Sequence, residues 1–555
     1  LDGTWDLTTG EYHLAPSANM LTRYQMGWWG AQFAGAGGAF STPYPTLTVT
    51  HMPRPIRQLK VVGDTAREEY PVDFTVKLYA QDGTLLETET VTGNDQVSWS
   101  KSLEPQVLDV AKQVLTITKW SHAGRCAKII EFFTSIREVY ETGDLVSLRL
   151  LEEREASQGS LPVGNISSNE ITLALNNESK KFDIDNEQSP LKNLLKPNRR
   201  IQAWLGTEIG GDMEWVPLGI FWSLDWDSPD DTLEATVTAR DRMELLRKGT
   251  YQTSQVQQNK SLYELAEDVL QDAGLNSNEY IIDTDLQNII VPYAWFNPVS
   301  HREALRQIAE AGLAAAFQNR DGKIQIESFL ITGDEPVLEI TEDDYFPPLR
   351  APSRQDQVAN EIIVDTQPLR PASAAEEVYR SNEPITIPAS TTKTITAFYN
   401  KTPVIEAVAS LDNPPAGVSI VETTYYGWGA SVKIQNTNAT DKQVTLVIQG
   451  KPLTVQNKER AIARDETSIT ENGVLRFEFP ANPLVQTLSQ AQAIADTLLA
   501  SVKEPRRDIE VDWRGNPALL LGDRVTVKGK DYYIIRQEID WQGYLSARLT
   551  GRRAT

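Results

Sequence analysis

Hydrophobic and polar residues alternate with a period of two over most of the chain, in short runs separated by turn residues. In the first 136 residues such runs are Thr46–Thr50, Phe74–Tyr79 and Leu85–Thr92, and Asp82-Gly83 separates the last two. Alternation across an Asp-Gly turn is typical of an antiparallel hairpin. Residues 1–136 are therefore predicted to form an antiparallel β-sandwich.

The alternation continues over residues 137–255, which we predict to be a second β domain. Its runs are Leu145–Leu151, Glu170–Leu175 and Leu233–Thr238. The stretch Asn176–Arg199 is polar and rich in Asn, Asp, Ser and Pro, which favour turns over regular structure. We expect this stretch to be a long loop between strands.

Residues 256–345 have a helical period of 3.6 instead. Ser261 and Glu264, and again Ser300 and Glu303, have the spacing of a capping box at the start of a helix. A hairpin with its turn at Asp321-Gly322 follows the second helix. This order of helices and strands predicts a small α+β domain.

The rest of the chain returns to a β pattern, and the whole is predicted to be mainly β and multi-domain. Residues 346–370, with the run Asn360–Asp365, return to the second β domain, and residues 371–475 form an inserted β-sandwich. Residues 476–555 are predicted to hold a helix capped by Ser489 and closing strands, among them Leu519–Val527.

Composition narrows the classes of function. The chain has 555 residues and a formal net charge of -23, which argues against stable nucleic-acid binding, because such binding needs Lys and Arg to neutralise phosphates. No run approaches the roughly 18 apolar residues of a membrane-spanning helix. The start at Leu1 shows no signal-peptide pattern. We expect a soluble protein.

Candidate chemistry is sparse. One cysteine, Cys126, and four histidines provide no metal-ligand spacing, and we find no catalytic set of residues. We therefore predict no enzyme activity, no cofactor, and structural roles for Cys126, His122 and His301. The acidic segments Asp183–Glu187 and Asp225–Asp231 offer oxygens to calcium, but without EF-hand spacing solvated turns are favoured.

Two adjacent indoles are the candidate binding residues. Trp28 and Trp29 lie in the segment Met26–Gly30, between two glycines. Exposed aromatic rings bind sugars through the apolar faces of both partners. The alternative is that both rings cover the sandwich or a neighbouring subunit.

A resemblance to a known family is visible in the segments Gly164–Asn177, Leu194–Ile201 and Pro517–Val525. They resemble the tail-tip (baseplate) hub proteins of tailed phages, over residues of about 137–370 and 475–555. The resemblance implies two barrel-like β domains, split in sequence by the α+β insert, and assembly as a homotrimeric ring around the tail channel. Residues 1–136 also resemble discoidin-type or carbohydrate-binding domains, through Trp120–Arg125 and Lys128–Phe133, and this resemblance implies a jelly-roll-like sandwich.

The function predicted from these features is a structural hub subunit of a phage or phage-like tail tip. It would continue or close the tail tube, contact neighbouring tail proteins, and carry a peripheral sandwich for host-surface glycans. It would belong to the virion and assemble in the host cytoplasm. Two alternatives stay open: a receptor-binding adhesin of the tail tip, and a tail-associated cell-wall hydrolase.

Overall fold

A computed structural model describes most of the chain. The described residues are 3–6, 11–14, 27–65, 67–135, 138–154, 166–189, 191, 194–328, 335–351, 353–354, 358–503 and 506–554. Strands account for 52% of the structure and helices for 12%, which confirms the prediction of a mainly β, multi-domain protein. The chain divides into two compact units: residues 1–144 with 178–194, and residues 145–177 with 195–555.

The first unit is a β domain built around a five-stranded antiparallel sheet with the order β6-β5-β7-β4-β9. Separate two-stranded ribbons pair β3 with β8 and β1 with β2. The hairpin predicted at Asp82-Gly83 is confirmed between β5 and β6. A short 3-10 turn spans Ala36–Gly38. The strands are Gly3–Asp6 (β1), Glu11–Leu14 (β2), Trp28–Phe33 (β3), Thr46–Val62 (β4), Pro71–Tyr79 (β5), Leu85–Val91 (β6), Ser98–Trp120 (β7), Cys126–Ile129 (β8) and Glu131–Ser135 (β9).

The core of this unit lies between the sheet and the β3–β8 ribbon. Alternate residues of β4, β5 and β7 are buried, and Ala127 and Ile129 of β8 join the same cluster. The polar loop of residues 178–194 belongs to this unit. Phe182 is buried there and packs against Tyr140, with ring centroids 5.4 Å apart, so one aromatic residue anchors the loop.

The second unit begins with five antiparallel strands in one sheet. The long hairpin of β12 and β13 pairs through β14 with β11, and β11 pairs with β10. Buried residues alternate along β10 and β14, as the period of two predicts. These strands are Leu145–Glu153 (β10), Glu170–Asn176 (β11), Arg200–Ile209 (β12), Asp212–Asp227 (β13) and Glu234–Arg240 (β14).

An α+β part follows. The capping box predicted at Ser261 is present in full, and Leu262, Leu265 and Val269 of its helix are completely or almost completely buried. Ser300 caps the third helix. The elements are Arg242–Lys248 (α1), Thr250–Tyr251 (β15), Gln257–Ser261 (β16), Leu262–Asp272 (α2), Tyr280–Ile282 (β17), the 3-10 turn Thr284–Asn288, Ile290–Ala294 (β18), Val299–Ser300 (β19), His301–Ala311 (α3), Ala314–Gln318 (β20) and Ile324–Ser328 (β21).

Residues 338–478 contribute to four different sheets. Strands β22 to β24 return to the large sheet, whereas β25 forms a small sheet with β34 and β35. Strands β26 to β33 form a two-sheet sandwich with its own core. The elements are Leu338–Ile340 (β22), Tyr345–Arg350 (β23), Ser353–Arg354 (β24), Glu361–Asp365 (β25), Leu369–Pro371 (β26), Glu376–Arg380 (β27), Ile385–Ile387 (β28), Thr391–Phe398 (β29), Val404–Asp412 (β30), Val418–Tyr425 (β31), Gly429–Asn436 (β32), Lys442–Val455 (β33), Arg460–Arg464 (β34), Glu466–Asn472 (α4) and Arg476–Glu478 (β35).

The C-terminal strands complete a twelve-stranded sheet. β10 pairs with β38, although the two are separated by almost 400 residues, and β36 pairs with β39 and β23. Among the described strands this sheet is open and runs from β12 to β23. The two barrel-like domains that the resemblance implies are therefore not closed among the described strands, and Pro347 and Pro348 in β23 offer no N–H groups to a further strand. The last elements are Leu488–Val502 (α5), Arg506–Trp513 (β36), Arg524–Val527 (β37), Lys530–Trp541 (β38) and Leu545–Arg553 (β39).

A buried ion pair ties the α+β part to the large sheet. Arg320, in the turn after β20, binds Glu152 of β10 through two N–O contacts of 2.9 and 2.7 Å, and both side chains are almost fully buried. Gln537 of β38 donates to the same carboxylate at 2.7 Å. In the part of the chain that the structure describes, no helix is long and apolar enough to cross a membrane.

Candidate functional site

The two candidate tryptophans lie next to each other on β3 and have different surroundings. β3 pairs antiparallel with β8, so that Trp28 is opposite Ile129 and Trp29 is opposite Lys128. Neighbouring residues of a strand point to opposite faces. Trp28 is partly buried and packs against the core of the first unit. This contact agrees with the alternative that the ring covers the sandwich.

Trp29 covers a buried charge. The Nζ of Lys128 lies 4.8 Å from the centroid of the Trp29 ring, within the range of a cation–π contact. Lys128 is almost fully buried, and its Nζ is 3.1 Å from Oδ2 of Asp64, which is equally buried. The indole Nε1 of Trp29 is buried and has no hydrogen-bond partner among the described residues. Trp29 is therefore the candidate residue with an unused polar group.

A tight turn holds Asp64 in place. The backbone groups of Asp64 and Glu69 bond each other in both directions, at 2.8 and 3.1 Å. A Cβ atom on Gly63 would lie 2.3 Å from the carbonyl oxygen of Glu69, so the turn needs a glycine at this close approach. Arg67 within the turn contacts Oδ2 of Asp64 at 3.1 Å.

Glu69 extends the cluster to the buried end of β7. Its Oε2 accepts a hydrogen bond of 3.0 Å from Nε1 of Trp120, which is completely buried, and its Oε1 lies 3.3 Å from Nε of Arg125. Because Trp120 and Arg125 belong to the segment that carries the carbohydrate-binding resemblance, that segment and Trp29 are close to one polar network. We call Trp29, Asp64, Glu69, Arg125 and Lys128 the Trp29 cluster.

Most of the Trp29 cluster is buried, since Asp64, Glu69 and Lys128 are almost fully buried. It contains two carboxylates, two cations and one aromatic face, and each carboxylate is already paired with a cation. The sequence identified Trp29 but not its partners. Among these partners only Lys128 was recognisable in the sequence, because it is a charged residue inside an otherwise apolar strand.

The other candidates from the sequence do not form catalytic sets in the described residues. Nδ1 of His122 lies 2.9 Å from Oγ of Ser121, but no described carboxylate bonds the other ring nitrogen. His301 begins α3 and its Nε2 lies 2.8 Å from Oδ2 of Asp272. Cys126 is a buried thiol. Within the described ranges, no three His, Cys, Asp or Glu residues are grouped as metal ligands, including the segments Asp183–Glu187 and Asp225–Asp231.

One buried carboxyl group has an unusual acidity. Asp241 caps α1 and accepts hydrogen bonds from Met243 N at 3.0 Å, Ser168 Oγ at 2.7 Å and Asn169 N at 2.8 Å. Burial nevertheless raises the pKa of Asp241 to about 6, because desolvation disfavours the carboxylate more than these bonds favour it. It lies inside the second unit, so it influences stability there.

Comparisons with known proteins give distant similarities to tail proteins. No protein-family model matches the sequence, and no curated protein matches it. A 43 kDa tail protein of prophage MuSo2 from Shewanella oneidensis has 12% identity and a TM-score of 0.40, covering 76% of this chain and 96% of that one. A tail protein from Neisseria meningitidis MC58 has 8% identity and a TM-score of 0.40, with 76% and 94% covered.

A third similar structure is the prophage tail protein gp18 from Listeria monocytogenes EGD-e, with 10% identity, a TM-score of 0.35 and coverage of 76% and 92%. These three similar structures are thus all tail proteins. None of the three is a discoidin-type protein, so they do not support the resemblance of residues 1–136 to discoidin-type domains. Because all three TM-scores are below 0.5, the function of this chain has to be inferred from its own residues.

Proposed function

We propose that the chain is a structural hub subunit of a phage or phage-like tail tip, and that three copies form a ring that continues or closes the tail tube. The observation that carries the proposal is the large sheet of the second unit. Its strands come from residues 145–240, 338–354 and 506–553, with the α+β part between the first two segments. This is the split order that the resemblance to hub proteins implies.

Contacts between copies need an exposed apolar surface, and the free edge of this sheet provides one. On one face of the β12–β13 hairpin, Trp204, Met213 and Trp215 are 41%, 50% and 60% exposed. The side chains of Met213 and Trp215 lie over Gly206, where a Cβ would be 2.7 Å from both. Apolar groups clustered at an unpaired strand edge are typical of surfaces that another chain covers.

The net charge of the chain supports a location of the subunit around a channel through which DNA passes. With 76 acidic and 53 basic residues, the chain repels a polyanion in general. DNA that passes through a ring of such subunits would not adhere to it. The same charge does not favour a role in binding nucleic acid.

The ring can be tested with the full-length chain. We expect light scattering to give the mass of three chains and electron microscopy to show rings. Trp215→Glu should shift the protein towards monomer, because it buries a charge in the contact. The matched change Tyr544→Glu, at another aromatic residue that is 69% exposed, should leave the mass unchanged. A stable monomer, with no ring in images of particles, would contradict the proposal.

Attachment to host-surface glycans is the second candidate function, favoured by the Trp29 cluster. A sugar ring would stack on the accessible part of Trp29, since this side chain is only partly buried. The full-length Trp29→Ala variant should be retained less on host cells than the unchanged protein. Equal retention of the two proteins would remove this candidate and leave the ring proposal untouched.

A further inference from the structure

A cavity of about 160 Å3 lies in the α+β part of the second unit, remote in sequence from the Trp29 cluster. Its walls come from the residues after β18, from α3 and from the segment before α5. The residues that matter for binding are Trp295, Asn297, Arg306, Gln307, Glu310 and Pro483. The volume is well below the roughly 300–1,000 Å3 of pockets for drug-sized ligands, so a single small ring fits it.

One wall is a fixed aromatic surface. Trp295 is partly exposed in this cavity. A Cβ on Gly427 would lie 3.3 Å from Cε3 of Trp295, so the backbone at Gly427 packs against the edge of the indole. The residues on both sides of Gly427 are held by contacts: Tyr426 and Trp428 stack with centroids 5.1 Å apart, and Nε1 of Trp428 donates to Gln252 O at 2.8 Å. Trp295 thus lines the cavity and is in contact with Gly427 on the other side.

The opposite wall is polar, and its one cation is already paired with carboxylates. Arg306 contacts Glu303 at 2.8 Å and Glu310 at 3.3 Å. The second carboxylate oxygen of Glu310 accepts from Nδ2 of Asn482 at 2.9 Å. One guanidinium thus faces two carboxylates, which disfavours an anionic ligand. The amides of Gln307 and Asn297 add donors and acceptors without charge.

We propose that this cavity binds one ring of a neutral saccharide. A pyranose has an apolar face of C–H groups, which would stack on Trp295, and hydroxyl groups, which would bond the amides and the paired ions opposite. The site differs from the Trp29 cluster in position and residues. It does not depend on the ring or on the attachment function proposed above.

The test is a binding titration of the full-length chain with neutral trisaccharides, namely chitotriose, cellotriose and maltotriose, and with sialyllactose as the acidic probe. We expect at least one neutral probe to bind and sialyllactose not to. Trp295→Ala should weaken binding about tenfold, and Asn297→Ala, which keeps the aromatic wall, should weaken it about threefold. Tyr544→Ala is the control at an exposed aromatic residue and should bind like the unchanged chain.

The alternatives give distinct results. Melting curves of both cavity variants should match the unchanged chain within a few degrees, and Asn297→Ala keeps the test valid if Trp295→Ala unfolds. If glucose binds as tightly as any trisaccharide, the site takes a free sugar. If a trisaccharide binds more tightly than glucose, the site takes a glycan chain. Both results support a saccharide site. The proposal is overturned if no neutral probe binds, if only sialyllactose binds, or if Trp29→Ala abolishes binding while the cavity variants keep it.

Discussion

Each of the two units contains a buried ion pair, and the two pairs differ in the cation and in the groups that surround it. In the second unit, Arg320 binds Glu152 with two N–O contacts, and its other donors reach the carbonyl oxygens of Pro217 and Pro517. In the first unit, Lys128 binds Asp64 beneath Trp29, whose N–H has no described partner. The Arg320–Glu152 pair joins the α+β part to the large sheet, whereas the Lys128–Asp64 pair joins a strand to a turn beneath an aromatic ring.

The largest effect is expected from Glu152→Ala. Removal of the carboxylate leaves the guanidinium of Arg320 buried and uncompensated, which should lower the free energy of unfolding by about 3–5 kcal/mol. Denaturation of the full-length chain in urea measures this loss. The control Lys401→Ala removes an exposed ion pair with Glu376 and should cost at most about 1 kcal/mol. Equal losses of unfolding free energy in both variants would show that the buried pair of Glu152 stabilises the fold no more than an exposed pair does.

A smaller loss is expected from Lys128→Met in the first unit. Arg67 remains 3.1 Å from Asp64, so the carboxylate keeps one cation, and we expect a loss of about 2–4 kcal/mol. Adding Asp64→Asn should restore part of it, because the variant no longer buries an incompletely compensated charge. The comparison of the two units fails if Lys128→Met costs more than Glu152→Ala in the same urea experiment.

The free energy of unfolding of the second unit should depend on pH through Asp241. This buried carboxyl group makes no described hydrogen bond to a cation. Since burial raises the pKa of Asp241 from its ordinary value to about 6, the folded state favours the protonated form. Its contribution is complete below about pH 4 and is lost as the pH rises through about 6, a change of about 2–3 kcal/mol.

The measurement for Asp241 is the difference in unfolding free energy between the unchanged chain and Asp241→Asn at several pH values. We expect this difference to change between pH 4 and 6 and to be constant from pH 7 to 8. A difference independent of pH over the whole range would mean that Asp241 has an ordinary pKa.

The smallest effect is expected from Trp29→Phe. The change keeps an aromatic ring over Lys128 and removes an N–H that is buried without a described partner, so unfolding free energy should change by less than about 1 kcal/mol. Trp28→Phe, in the same strand but packed on the core, should cost about 1–2 kcal/mol through the lost volume. A larger loss for Trp29→Phe than for Trp28→Phe would assign Trp29 to the core.

Local patterns predicted the elements of the fold better than their partners. The hairpin at Asp321-Gly322 and the capping box at Ser261 are confirmed, because both depend on residues a few positions apart. The prediction that Ser489 caps the last helix was wrong. Thr487 caps it through a hydrogen bond of 3.3 Å from Gln490 N, and Ser489 is the second helical residue. Both are good cap residues, so local sequence did not separate them.

The period of the hydrophobic pattern does not predict which distant strands pair with each other. The partner of β10 is β38, near the other end of the chain, and no spacing rule relates the two strands. The candidate site shows the same limit. Trp29 was visible as one of two adjacent indoles, but its nearness to Lys128 and Asp64 depends on how a strand and a turn more than 30 residues away pack together.

The sandwich of β26 to β33 starts and ends at neighbouring points. Leu369, where it begins, is directly opposite Val455, where it ends, in paired antiparallel strands. Opposite residues in such a pair have Cβ atoms about 5 Å apart, a gap that a tight turn can bridge. A gene could therefore lose this segment, or exchange it for another, without altering the strands on either side. Changes inside the sandwich would still have to keep Gly427 and Trp428, which contact Trp295 and Gln252 of the α+β part.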